Sequence, residues 1–148
     1  MAKTVGDNQR IALITTGRKA EAPAGVAGIE PGMLVEINAD KALVPHATAG
    51  GDAEVIFVLE DGKIGRTVED AYTIDDGFIE HVKCQAGDEV MGILIPAVSY
   101  DDGDKLTSNG DGYLKKATGS DVVVATVADP LDLTDGGAVA TLHAIRTR

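Results

Sequence analysis

Gly28–Glu60 reads GIEPGMLVEINADKALVPHATAGGDAEVIFVLE, and its punctuation decides the fold class. Pro31-Gly32 is a type II turn signal, because Pro presets the second turn position and Gly accepts the positive φ of the third. Met33–Ile37 follows, with Met33, Val35 and Ile37 alternating against Leu34 and Glu36, the period of a strand. Asn38–Lys41 turns the chain and Ala42–His46 returns, which predicts a hairpin. The small-residue loop Ala47–Asp52 leads to Glu54–Leu59, a nearly continuous apolar run rich in β-branched residues, as expected of a buried central strand. Glu60-Asp61-Gly62 turns again.

The same rhythm continues toward the C-terminus. Phe78–Cys84 alternates, Gln85–Asp88 turns, and Glu89–Val98 is a long apolar strand interrupted by Gly92 and Pro96. A Pro there argues for an edge or a strand end. Residues 99–112 are polar turn clusters around one apolar step at Leu106. Tyr113–Ala117 is brief, Asp121–Ala128 is strongly β-branched, and Ala138–Arg146 alternates at Val139, Thr141, His143 and Ile145. Arg66–Tyr72 is the one helix candidate, with Thr67 as a cap and Asp70 three residues on, at most two turns long; it reads equally as loop. About eight short strands separated by Gly/Asp turns predict a mainly β fold, a small antiparallel β-barrel or sandwich, with at most one short helix.

Residues 1–27 are rich in small side chains, and only Ile11–Thr16 (IALITT) has strand character. They are expected to form an extended N-terminal arm on a β-rich domain of residues 28–148. The arm is basic: residues 1–20 carry Lys3, Arg10, Arg18 and Lys19 against Asp7 alone, while the whole chain has a net charge of −11. Such an arm reads as a docking segment for an acidic partner or as a solvated terminus. Arg10, Ile11, Leu13, Ile14 and Arg18 are its candidate contact residues, since they combine strand-like apolar content with positive charge.

Composition limits the function classes. A chain of 148 residues with 44% hydrophobic and 25% charged residues is one globular domain rather than a disordered one. With no Trp, 3 Tyr and 2 Phe, the core must be built from Val, Ile, Leu and Ala. The acidic balance and the lack of Lys/Arg clusters argue against nucleic acid as a partner. No stretch approaches the ~18 apolar residues of a membrane span, so no membrane is expected. The N-terminus has no hydrophobic signal region, which leads to the expectation of synthesis in a reducing host cytoplasm.

Patterns for chemistry are weak. His46, His81 and His143 lie on three different predicted strands, and HxH, HExxH and CxxC are absent, so no metal or cofactor is expected. Asp101, Asp102, Asp104 and Asp111 do not fit an EF-hand register; Asp/Gly turns explain them, and another kind of cation loop stays open. The lone Cys84 reads as a small packed hydrophobe. His81, three residues away, falls on the opposite strand face. Phosphate-cradling loops and nucleophile elbows are also missing. No catalytic residues are assigned, and the expectation is a non-enzyme.

Two stretches carry a resemblance. Gly28–Glu60, quoted above, resembles head decoration (cement) proteins of tailed phages, in which a Pro-initiated turn, two short strands, a small-residue loop and an apolar strand succeed one another. Phe78–Ala117, FIEHVKCQAGDEVMGILIPAVSYDDGDKLTSNGDGYLKKA, is similar to small phage structural proteins, in which "GDEV" opens a long apolar strand and a "GD-L-S-GDG-L-KA" hairpin follows. The resemblance implies a structural virion protein on the outer surface of an expanded capsid, with the major capsid protein and its own copies, as a homotrimer, for partners. It also implies an arm laid across the shell. Residues 118–148 have no counterpart in that pattern. A tail or head-completion subunit is the alternative within the same class, and a small β-barrel ligand-binding module is the alternative outside it.

Overall fold

The computed structural model describes residues 10–61, 65 and 67–148. Thirteen strands run through these residues: β1 Ala12–Ile14, β2 Arg18–Pro23, β3 Val35–Ile37, β4 Leu43–Pro45, β5 Ile56–Val58, β6 Phe78–Lys83 and β7 Glu89–Leu94. They continue with β8 Ser99–Tyr100, β9 Lys105–Ser108, β10 Leu114–Lys116, β11 Ala125–Val127, β12 Leu131–Asp132 and β13 Thr141–Thr147. Among the described residues no α-helix occurs, and the one helical turn described is a 3-10 turn at Ile74–Asp76.

The fold is a closed five-stranded barrel with a second β layer packed on it. β7, β10, β9, β11 and β13 are bonded in that order, and β13 pairs back on β7 to close the ring. The closing pair is the longest, running antiparallel from Thr141↔Leu94 to Arg146↔Glu89. One edge of β7 is thus filled by β13. The other is shared: β10 meets it at Leu94, and β1 meets it at Val90 and Glu89. Gly92 faces two side chains of the ring. A Cβ there would press on Ile145 Cδ1 at 2.8 Å and Leu114 Cδ1 at 3.0 Å. The glycine that interrupts β7 in sequence therefore makes room for two barrel side chains rather than ending the strand.

The second layer is the sheet β2-β6-β5 with the β3–β4 hairpin beside it. The hairpin expected at residues 33–46 forms, in the register Val35↔Pro45 to Ile37↔Leu43. Its turn uses Asn38 Oδ1 as acceptor for Asp40 and Ala42 N–H, and Lys41 takes a positive φ of 61°. The Pro31-Gly32 turn also forms: Met33 N–H donates to Glu30 O and Gly32 has φ 92°. The segment after that turn lies along the far edge of β5, with Gly32 N–H donating to Val58 O and Val58 N–H to Met33 O. β5 is therefore flanked by backbone on both sides and is fully buried. Ile93 and Leu142 on the barrel, Phe57 and Val58 in the second layer, and Leu34 between them belong to one continuous hydrophobic core.

Two readings of the sequence are decided. Of the helix and the loop that the sequence allows at 66–72, the described residues take the loop. Thr67 and Asp70 do pair, through Thr67 N–H and hydroxyl to Asp70 Oδ2 at 2.8 and 3.0 Å, but they close a turn, after which Tyr72 bridges to Ile29. The Tyr72 ring is buried and its hydroxyl donates to Leu59 O, so packing on the sheets wins over a two-turn helix. Second, from Arg10 onward the segment expected as an extended arm is built into the body. Ile11 has zero exposure, β1 pairs with β7, and β2 pairs with β6 along its whole length from Arg18↔Lys83 to Pro23↔Phe78. The part of the expected arm before Arg10 lies outside the described residues.

Candidate assembly surface

The five residues singled out in the N-terminal segment divide by role. Ile11 is core: its N–H donates to Glu60 Oε2 and its carbonyl accepts from Met91 N–H. Leu13 and Ile14 are exposed at 45% and 65%, high values for adjacent residues of one strand. The register explains this, because it slips between Ala12↔Val90 and Ile14↔Glu89. A bulge breaks the in–out alternation and leaves both side chains facing water. Arg10 and Arg18 are exposed at either end of this apolar step. The structure thus brings Arg10, Leu13, Ile14 and Arg18 to the surface of one short segment and withdraws Ile11 from it.

That segment is held from below by Asp88, which the sequence presents only as part of a turn. Asp88 Oδ1 accepts from the N–H and hydroxyl of Thr16, both at 2.8 Å. Its Oδ2 accepts from Gly17 N–H at 3.0 Å and Gln85 N–H at 2.9 Å. Burial works to raise the carboxyl, but these bonds outweigh it and hold it below the ordinary carboxylate range. Gly17 is obligatory at the crossing, since a Cβ there would meet the carbonyl oxygen of Lys83. The Gln85 bond is local and readable as turn chemistry. The Thr16 and Gly17 bonds come from far along the chain, and no local signal announces them.

The residues considered for chemistry are spread apart. His46 is buried, with Nδ1 2.7 Å from Ser108 Oγ and Nε2 3.0 Å from Asp52 O, so it ties the β3–β4 hairpin to the barrel. His81 is buried on β6; its Nδ1 lies 3.4 Å from Ile79 O and its Nε2 has no hydrogen-bond partner. Burial pushes its pKa below the usual histidine value, and the charge of Lys83 works the same way. His143 lies on β13 with Nε2 2.6 Å from Asp129 O. Among the described residues no three His, Cys, Asp or Glu side chains gather closely enough to hold a metal ion. Burial, aided by the charge of Asp88, pushes the Cys84 thiol up to about 12, so it stays protonated at neutral pH.

Two of the acidic turn residues, Asp104 and Asp111, have defined partners. Asp104 Oδ2 accepts from Asp101 N–H at 2.8 Å and pairs with Lys116 Nζ at 2.7 Å, which holds its carboxyl below the usual range. Asp111 accepts from Asn109 Nδ2 and Tyr113 N–H. A groove of about 410 Å³ lies beside it, lined by Ile95, Pro96, Asp111, Tyr113, Ala138, Val139 and Ala140. The Tyr113 hydroxyl is already given to Glu30 Oε1 at 2.6 Å. The lining is apolar with one carboxylate at its rim, chemistry suited to an apolar side chain of a partner rather than to a polar metabolite. No helix of the described residues is long and apolar enough to cross a membrane. No protein-family model matches the chain, and no curated protein matches it.

Proposed function

We propose that this chain is a structural subunit that binds the outer surface of an expanded phage capsid and holds the shell in that state. The observation that carries the reading is the bulged β1 step. Leu13 and Ile14 stand open to water between Arg10 and Arg18, on a molecule whose overall charge is −11. The resemblance of residues 28–60 and 78–117 to head decoration proteins supports it. A protein that binds the expanded shell and not its precursor stabilises the expanded state by the difference in binding free energy. Many identical sites on one shell add avidity to a contact that is small in each copy. On this reading the major capsid protein is the main partner, the copies assemble as a small homo-oligomer, a trimer by the resemblance, and the protein resides on the capsid surface.

The test is co-sedimentation of the full chain with expanded, undecorated capsids of its phage. The wild-type chain is expected to sediment with the shells, and a Leu13→Asp/Ile14→Asp variant, still folded by circular dichroism, to stay in the supernatant. Equal binding by the variant removes β1 from the contact. No binding by the wild-type chain removes the capsid reading itself.

A further inference from the structure

We propose that copies of this chain bind one another head to tail: the apolar step of Leu13 and Ile14 on one copy seats in the groove at the end of the barrel on the next, with an arginine beside the step set against Asp111. The contact does not depend on the capsid reading.

The groove lies at one end of the barrel, where three of its strands meet their loops. Ile95 and Pro96 follow β7, Tyr113 precedes β10, and Val139 and Ala140 precede β13. Its volume of about 410 Å³ falls in the ~300–1,000 Å³ range of binding pockets. Asp111 is the one carboxylate of the lining, and the Tyr113 hydroxyl is turned to Glu30. Asp111 accepts from Asn109 Nδ2 and Tyr113 N–H, both neutral donors, which fix it at the rim and bring a negative charge to an apolar wall. An occupant that matches this wall is aliphatic and carries a cation beside its apolar part.

The chain itself carries such a segment. Among the described residues, Leu13 and Ile14 are the exposed large apolar side chains that stand next to each other, and Arg10 and Arg18 are exposed on either side of them. Ile74 and Phe78 enclose Asp75 instead, and Val122 follows Asp121, so either would bring a second carboxylate to Asp111. A copy cannot fill its own groove. Its step is fixed at the start of β7 by Ile14↔Glu89, and the groove begins past Leu94, about 20 Å further along at ~3.3 Å per residue. The contact is therefore heterologous, with a step at one end of each copy and a groove at the other. Two side chains in one groove bury less than the ~1,200 Å² of a standard interface, so the association is weak. The step serves one partner at a time. A shell with many identical sites outcompetes a single groove by avidity, so the head-to-tail form belongs to the chain off any shell.

Complementation between two defective chains reads the contact. In sedimentation equilibrium the mass of the full chain is expected to rise with concentration. Leu13→Asp/Ile14→Asp, which spoils the step, and Val139→Lys, which puts a cation into the groove, are each expected to abolish that rise while remaining folded by circular dichroism, since all three positions are exposed. Mixed in equal amounts, the two variants are expected to associate again and to stop after one added copy, because one intact step and one intact groove remain per pair. A peptide of residues 10–18, RIALITTGR, blocked at both ends, is expected to shift the amide resonances of Val139 and Ala140 in the isotope-labelled full chain. It is expected to bind several-fold more weakly to Asp111→Asn, which keeps an acceptor for Tyr113 N–H. Failure of the mixture to associate, association of either variant alone as in the wild type, or peptide binding indifferent to Val139→Lys or to Asp111→Asn would each overturn the proposal.

Discussion

Asp88 accepts four hydrogen bonds that join Thr16 and Gly17 to the turn before β7, and its carboxyl titrates below the range of an unfolded aspartate. The stability it confers is therefore complete above the unfolded value of ~4 and disappears as pH falls through the lower folded value. Asp88→Ala strands three main-chain donors and is expected to cost about 3 kcal/mol in urea denaturation at pH 7, with a shallower acid limb than the wild type. His81 acts in the same direction at higher pH. Its folded pKa is lowered by burial, so the unfolded chain binds the proton first, and stability declines as pH falls below ~6.5. In His81→Leu the denaturation midpoint should change less between pH 7 and pH 5 than in the wild type. Lys41 offers the opposite case, a gain. Its φ of 61° is strained for a side chain with a Cβ, and Lys41→Gly is expected to raise stability by about 1 kcal/mol in the same assay.

Among the elements, β1 draws the sharpest contrast between neighbours. Ile11→Ala removes a fully buried side chain and should cost about 3 kcal/mol. Leu13→Ala and Ile14→Ala remove exposed ones and should each stay within about 0.5 kcal/mol. Capsid binding should follow the reverse order if β1 is the contact. The sequence makes some elements plain and hides others. Pro31-Gly32, the β3–β4 hairpin, β6 and β7 are legible because turn chemistry and alternation agree over several residues. β2 is not, since RKAEAP has only Ala20 and Ala22 to mark an inner face, and backbone pairing with β6 asks nothing of side-chain hydrophobicity. β9 is reduced in sequence to a single apolar step at Leu106, yet Thr107 and Ser108 are buried too. The 66–72 segment has helix capping chemistry, but its Tyr72 packs better in the core. Of the candidate surface, the charge and apolar content of residues 10–18 were readable. The bulge that exposes Leu13 and Ile14, and the Asp88 bonds beneath them, depend on contacts from far along the chain.

For the whole molecule, regular Gly/Asp turns were enough to predict a mainly β barrel or sandwich. Ring closure was not legible, because it rests on β13 returning to β7 rather than on any local pattern. Barrel and second layer share one core, so unfolding is expected to be a single cooperative transition, with tyrosine fluorescence and far-ultraviolet dichroism superimposing; two separated transitions would mean two independent units. The pairing of β7 also orders events in time. Ala12 can meet Val90 only after the long intervening stretch has emerged from the ribosome, and Glu89 must then wait for Arg146, which follows later still in the sequence. Long-range pairing of this kind is slow. The nascent chain thus carries β7 with one edge unpaired, beside the exposed Leu13 and Ile14, until residues 141–146 are made, an interval in which aggregation or early engagement of a neighbouring copy competes with closure of the ring.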